Sequence, residues 1–148
     1  MALPPPEEAA LWFAVNDPGA VADLLEEELF EHEVAVGAMR ALGTAVTFDE
    51  AVATADVDVA ALLSRLANEE GVGAEATDVV GSLAGLRARE AVNRLGRSSP
   101  DLSAEEFATR MAGQRLLKEQ LARLEDPDAR PDAVARLVAW LVEHRREG

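Results

Sequence analysis

Cysteine and tyrosine are absent from this 148-residue chain, and its aromatic residues are limited to two Trp and four Phe. Without cysteine, neither a disulfide nor a thiolate metal site can form. The sequence also lacks any apolar run near the ~20 residues that cross a bilayer, and it has no charged start followed by an apolar signal-peptide core. These absences exclude a disulfide-stabilised or membrane-spanning protein and predict a cytoplasmic location.

The residues that are present favour helix. About half of the chain is apolar (49%), and Ala and Leu, which are strong helix formers, dominate that half. Apolar residues recur at helical spacing through most of the sequence, whereas no alternating strand pattern extends beyond a few residues. The sequence therefore predicts an all-α fold: a compact bundle of short helices followed by a C-terminal antiparallel helical hairpin.

The negative charge is unevenly distributed. Residues 1–75 contain sixteen acids and two bases, whereas residues 76–148 contain twelve of each, so the first half carries the whole net charge of −14. An acidic surface repels phosphate backbones, so direct contact with nucleic acid is not expected. Two interpretations stay open for the acids: they provide solubility, or they steer a basic partner.

The start of the chain combines a linker-like stretch with two helical patterns. Residues 1–6 are rich in proline, which predicts the remnant of a linker and a chain cut from a longer protein. A first helix is expected from Glu7 to Val15. Asp17 can then cap a second helix, with Pro18 at its first position. This helix is predicted to reach about Phe30, with its many acids on the water-exposed face.

Capping signals divide the next part of the chain. A third helix is expected from Glu33 to Leu42. Thr47 and Glu50 form a capping box that opens a short fourth helix. Asp58 is predicted to cap the fifth helix, and the sixth is expected from about Ala76 to Leu95.

The GRSSPD sequence (residues 96–101) breaks the sixth helix. Ser103 and Glu106 form a second capping box, and the helix that they open is predicted to reach about Glu125. The last helix is expected from Pro131 to Arg146, and the short connection between these two helices predicts an antiparallel hairpin. The predicted parts are a linker remnant at 1–6, a helical bundle at 7–98 and a C-terminal hairpin at 99–148.

Catalysis and metal binding lack complete sets of residues. His32 and His144 are the only imidazoles, and neither lies in a recognisable catalytic motif. Glu28 and His32 are four residues apart, but a helical di-iron site needs further Glu and paired Glu-x-x-His motifs. We therefore expect no enzyme activity in this fragment, no cofactor and no metal.

A group of arginines in and just after the sixth helix carries two interpretations. They could contact nucleic acid, or they could pair with the acids of the first half. The lack of lysine and of interleaved aromatic residues favours the ion pairs. These residues are Arg87, Arg89, Arg94 and Arg97.

The last helix carries an apolar stripe that is predicted to face the seventh helix. The stripe consists of Val134, Leu137, Val138 and Leu141. Trp140 lies about 60° from Leu137 on a helical wheel, at the edge of this stripe. It either packs on the seventh helix near Leu117 or Leu121, or it anchors a partner from an exposed apolar patch. The predicted partner-binding residues are Trp140, Arg136, Leu141, Glu143 and His144.

The order of these segments carries a family resemblance. The apolar LWFAV helix is followed by the proline-capped NDPGAVADLL, then by LFEHEVAVGAMRAL and the short TFDEAVATA helix. VAALLSRLANEE, a long helix and the pair LLKEQLARLEDPDARPDAVARLVAWLVEH complete the succession. Over nearly the whole chain this succession resembles the C-terminal helicase-binding domain of bacterial DnaG-type primases, although the break at residues 96–101 comes sooner than in the family's long connecting helix.

The resemblance implies a non-catalytic interaction domain of DNA primase that binds the DnaB-type replicative helicase and couples priming to the replication fork. In the family, zinc-binding and TOPRIM domains upstream synthesise the primer, the bundle modulates the helicase, and the terminal hairpin supplies most of the anchoring. A monomer in isolation is expected, with no membrane contact.

The bundle is also similar to the N-terminal domain of a DnaB-type replicative helicase, which would make homotypic contacts within a ring. The end of the chain directly after the hairpin favours the primase, because a helicase would continue into its ATPase domain.

Overall fold

The computed structural model describes residues 3–71, 73–97 and 101–147. Every regular element within them is helical, which confirms the predicted all-α class. The eight α-helices of these ranges are α1 (Pro5–Asn16), α2 (Pro18–Val21), α3 (Glu33–Thr44), α4 (Phe48–Thr54), α5 (Val57–Asn68), α6 (Ala76–Leu95), α7 (Ala104–Arg123) and α8 (Arg130–Glu147). A short 3-10 turn, Glu27–Leu29, lies between α2 and α3. No helix in the described ranges has the length and hydropathy needed to cross a membrane.

The central element of the fold is α6, which packs against α1, α7 and α8. It can do so because small residues alternate with larger apolar ones along its length. At Gly81 a Cβ atom would lie only 3.1 Å from Val134 Cγ2, so glycine lets α8 approach the α6 backbone closely. The bounds of α6, Ala76–Leu95, are those that the sequence predicts.

The apolar core is continuous from α1 to α8. Leu117 of α7 and Leu137 of α8 are fully buried in the same cluster as Leu11 of α1 and Leu83 of α6. The apolar stripe of α8 therefore faces α6 as well as α7, which corrects the expectation that it faces the seventh helix. The reason is that two helices alone bury little apolar surface, and α6 offers a second face to pack on.

The acidic segment, defined as residues 23–33, differs most from its prediction. The expected helix from Pro18 to Phe30 ends at Val21, and Glu26 is extended (φ −128°, ψ 152°) ahead of the 3-10 turn. This break lets Leu29 and the adjacent Phe30 both be buried. Tertiary burial has therefore overridden a helical pattern that also places like charges one turn apart.

Smaller differences occur at helix ends. The first helix begins at Pro5, inside the stretch expected to be a linker, because proline is tolerated in the first helical turn. The N-cap of α5 is Asp56 and not Asp58, which lies in its first turn. Thr47 and Ser103 accept the capping hydrogen bonds expected of them, from the backbone N–H groups three residues later. Part of the predicted GRSSPD break, residues 98–100, lies outside the described residues.

Candidate functional site

A buried ion pair between α1 and α6 holds the acidic segment in place. Glu7 and Arg87 are 1% and 5% exposed, and Arg87 Nη2 lies 2.8 Å from Glu7 Oε2. Glu7 Oε1 accepts hydrogen bonds from the backbone N–H groups of Glu31 (3.1 Å) and His32 (3.2 Å). Arg87 Nε donates to the Leu29 carbonyl oxygen at 2.7 Å. Both buried charges thus satisfy backbone groups of an irregular segment, as burial of charge requires.

The guanidinium of Arg87 also contacts two carboxylates near the surface. Its Nη1 lies 2.8 Å from Glu90 Oε1 and 3.5 Å from Glu31 Oε2, both on half-exposed side chains. The expected pairing of the sixth-helix arginines with the acidic half is therefore confirmed at Arg87. At Arg94 the observed contact is made by the backbone: the Arg94 carbonyl oxygen accepts a hydrogen bond from Arg110 Nη2 of α7 at 3.2 Å.

Trp140 is half-buried on the side of α8 that faces α7. A Cβ atom at Gly113 would lie 3.2 Å from Trp140 Cζ2, so the indole sits directly over the α7 backbone. The His144 ring stacks on the indole, with centroids 3.8 Å apart and an interplanar angle of 11°. Trp140 thus packs on the seventh helix, one turn before the expected Leu117, and keeps a partly exposed edge.

The other residues predicted to bind a partner occupy different environments. Leu141 is 2% exposed and belongs to the core, so its side chain is not available to a partner. Arg136 is exposed and donates from Nε to Asp132 Oδ2 at 2.9 Å. Glu143 is exposed, and His144 is half-buried, with Nδ1 2.8 Å from the Trp140 carbonyl oxygen. Three polar or aromatic groups, Trp140, Glu143 and His144, therefore share the exposed end of α8.

Asp132 links α7 to the start of α8. Its Oδ2 lies 2.8 Å from Arg123 Nη2 and 2.9 Å from Arg136 Nε. Hydrogen bonds from Arg123 first and from Arg136 second hold the pKa of the Asp132 carboxyl below its usual value. The Asp132 side chain is exposed, so it orients the ends of the two helices and adds little to their packing.

A groove of about 440 Å³ lies between the acidic segment and the outward side of α8. Its apolar floor comes from a second stripe on α8, which shares only Val138 with the core-facing stripe. The floor residues are Ala135, Val138, Ala139 and Val142. Three carboxylate side chains, Asp23, Glu26 and Glu143, complete the lining. These seven residues line the α8 groove.

Sequence reasoning missed the α8 groove, although half of its signal is visible in the AVARLVAWLV stretch. Ala135, Ala139 and Val142 recur at spacings of four and three, which marks an apolar line on a helix. The other half, the approach of Asp23 and Glu26 to this line, depends on the break after α2. No local pattern predicts that approach.

Glu28 and His32 were considered as half of a metal site. In the structure, His32 has a role in helix capping. The His32 side chain caps α3, with Nδ1 accepting a hydrogen bond from the Val34 N–H at 3.3 Å. Within the described ranges, no group of three or more His, Asp or Glu side chains is arranged to hold a metal ion.

Comparisons with known proteins found no protein-family model, no curated protein and no solved structure that matches this chain. Functional inference therefore depends on the order of the helices and on two surfaces of α8. One surface is the Trp140 edge, which adjoins α7, and the other is the α8 groove.

Proposed function

We propose that this chain is the helicase-binding domain of a bacterial DnaG-type primase, a non-catalytic module that docks on the DnaB-type replicative helicase. Primer synthesis would belong to other domains of the primase. The partner in this proposal is a protein and not nucleic acid, in keeping with the acidic first half of the chain.

The observation that carries the proposal is the succession of helices. The segments that resemble the primase domain become α1 to α6, and the terminal pair becomes α7 and α8 in mutual contact. The proposal is also supported by Trp140, since an aromatic side chain at a partly covered helix edge is the usual kind of interface anchor. Its ring contacts Gly113 and stacks on His144, and such packing restricts the rotamers of the indole, so less side-chain entropy is lost when a partner covers the exposed edge.

The direct test is a titration of the chain with the replicative helicase of the same organism. Trp140→Ala is expected to weaken binding at least about tenfold, because the loss of an interface anchor costs about 2 kcal/mol or more. Val46→Ala is a suitable control. Val46 is an apolar residue 91% exposed between α3 and α4, and its loss should leave affinity unchanged.

Thermal melts must accompany the titration, because Trp140 also contacts α7. A Trp140→Ala variant that melts like the wild type and binds like it would place the anchor elsewhere. A chain that binds no helicase but forms rings or oligomers in sedimentation would support the helicase N-terminal domain instead. Both outcomes contradict the present proposal.

A further inference from the structure

The outward side of α8 is apolar where a surface helix is normally polar. At about 100° per residue, Ala139 and Val142 lie roughly 100° and 160° from Trp140, on the side turned away from α7. Ala135 and Ala139 are exposed, Val142 is half-buried and Val138 is 5% exposed, so the floor is only partly covered by the chain itself. The α8 groove and the Trp140 edge are therefore separate surfaces of one helix.

The charged groups that line this apolar floor have one sign. Asp23 and Glu26 line it from the acidic segment, and Glu143 lines it from α8. Among the residues whose side chains the structure describes, which in α8 end at residue 144, no cation lies within ion-pair distance of these three carboxylates. Other acids of the segment are used internally: Glu27 pairs with Arg40 at 3.0 Å, and Glu31 approaches Arg87.

We infer that the α8 groove docks a cationic amphipathic helix from a partner protein. An apolar floor with charged edges fits the helix-in-groove mode of recognition, in which apolar positions one turn apart enter the groove. The floor runs from Ala135 to Val142, about 10 Å along α8, which matches two turns of a docked helix. Lysine or arginine on the sides of that helix would meet Asp23, Glu26 and Glu143.

Charge complementarity selects this occupant over others. A nucleic-acid backbone or an anionic lipid surface would meet three carboxylates and be repelled. An acidic peptide would be repelled in the same way. The inference goes beyond the proposed function, because it concerns a different side of α8 from Trp140 and requires no helicase.

The test uses the intact chain and a fluorescent peptide of about 15 residues, with Leu at helical spacing on one side and Lys and Arg on the other. Fluorescence anisotropy measures binding. A peptide of the same composition, scrambled so that it has no apolar side, is the matched ligand control. The amphipathic peptide is expected to bind at least about tenfold more tightly than the scrambled one.

Two sets of variants locate the site. Ala139→Glu adds a negative charge to the groove but blocks its apolar floor, and it should weaken binding at least about tenfold. Ala67→Glu, at an exposed position of α5, is its control and should leave affinity within about twofold.

The second set addresses the acidic lining. The double change Asp23→Asn with Glu26→Gln should weaken binding about threefold or more at low salt, and this difference should shrink as salt rises. Asp49→Asn with Glu70→Gln, at exposed acids away from α8, should have a smaller effect. Trp140→Ala should leave the peptide affinity unchanged, so a failure of this inference is distinguishable from a failure of the helicase proposal.

Several outcomes overturn the inference. Equal binding of the amphipathic and scrambled peptides, or tighter binding to Ala139→Glu than to the wild type, would reduce the effect to general charge attraction. The absence of measurable peptide binding would also overturn it. A wild-type dimer in sedimentation that Ala139→Glu dissociates would show that a second copy of the chain occupies the groove.

Discussion

A buried ion pair lies within residues 3–71 and 73–97, whereas the ion pairs described within the α7–α8 pair are exposed. In the first region, the Glu7–Arg87 pair is almost fully buried and binds backbone groups of an irregular segment. In the second, Asp132 pairs with Arg123 and Arg136 through side chains that are 38% to 62% exposed. A buried ion pair thus holds a segment whose own helical hydrogen bonds are limited to a short 3-10 turn. In the two long helices, the ion pairs of Asp132 lie near the helix ends.

The α7–α8 pair is held instead by close apolar contact. Val134 of α8 packs on the α6 backbone at Gly81, and Trp140 packs on the α7 backbone at Gly113. These contacts place α8 beside the acidic segment and so create the α8 groove. A buried ion pair holds the acidic segment, whereas apolar contacts hold α8, and variants can test that difference directly.

The largest effect is expected at the buried pair. Glu7→Gln removes the buried counter-charge of Arg87 and leaves only the half-exposed carboxylates of Glu90 and Glu31 beside it. Removal of one partner of a buried pair costs roughly 3–5 kcal/mol. The free energy of unfolding should fall by that amount in urea denaturation at neutral pH. The far-UV circular dichroism spectrum below the transition should stay helical, because most helices do not contact this pair.

Glu27→Gln is the matched control for Glu7→Gln. Glu27 pairs with Arg40 at 3.0 Å, but their side chains are 37% and 68% exposed, so the change should cost less than about 1 kcal/mol. Similar costs for the two variants would mean that burial adds nothing to the Glu7–Arg87 pair, and the contrast between the regions would fail.

The sequence predicts the fold wherever a helix is defined by its own residues. The sequence predicts α6 from about Ala76 to Leu95, which agrees with its observed bounds, since its apolar spacing and flanking breaks are local signals. The segment after Val21 could not be predicted in this way. Its conformation depends on Arg87, which is 58 residues from Leu29 in sequence, and on the burial of Phe30.

For the candidate surfaces too, the sequence predicts what depends on one helix but not what depends on its neighbours. Trp140 could be placed at the edge of the core stripe from helical geometry alone, and the structure puts it against α7. Its partner Gly113 is a glycine inside a helical pattern, which is a sequence signal for close packing. Leu141 belongs to the core-facing stripe on the same wheel and is 2% exposed, so its expected role in partner binding conflicts with its own place on the helix.

A smaller effect is expected where α6 meets α8. Gly81→Leu would place a side chain on Val134, where even a Cβ atom comes within 3.1 Å, and overpacking of this kind costs about 1–3 kcal/mol. The melting temperature should fall, and the tryptophan fluorescence, to which Trp12 and Trp140 both contribute, should shift if α8 is displaced. Gly43→Leu is the control, since a Cβ atom at Gly43 meets nothing within 4 Å. Equal melting temperatures for the two variants would show that α8 does not depend on this contact.

The smallest effect is expected at Asp132, whose carboxylate bridges Arg123 and Arg136. These hydrogen bonds hold its pKa below the unfolded value of about 3.9, so their stabilisation is present above that pH and is lost as pH falls through the folded pKa. Asp132→Asn should therefore lower the melting temperature at neutral pH by at most about 2 °C, and the difference should vanish in strong acid or at high salt. Asp128→Asn, at an exposed position in the connection between α7 and α8, is the control and should leave the melting temperature at neutral pH unchanged. A difference that persists in strong acid would mean that Asp132 stabilises the α7–α8 pair through packing and not through its charge. The contrast with the buried Glu7–Arg87 pair would then be sharper than the ion pairs of Asp132 indicate.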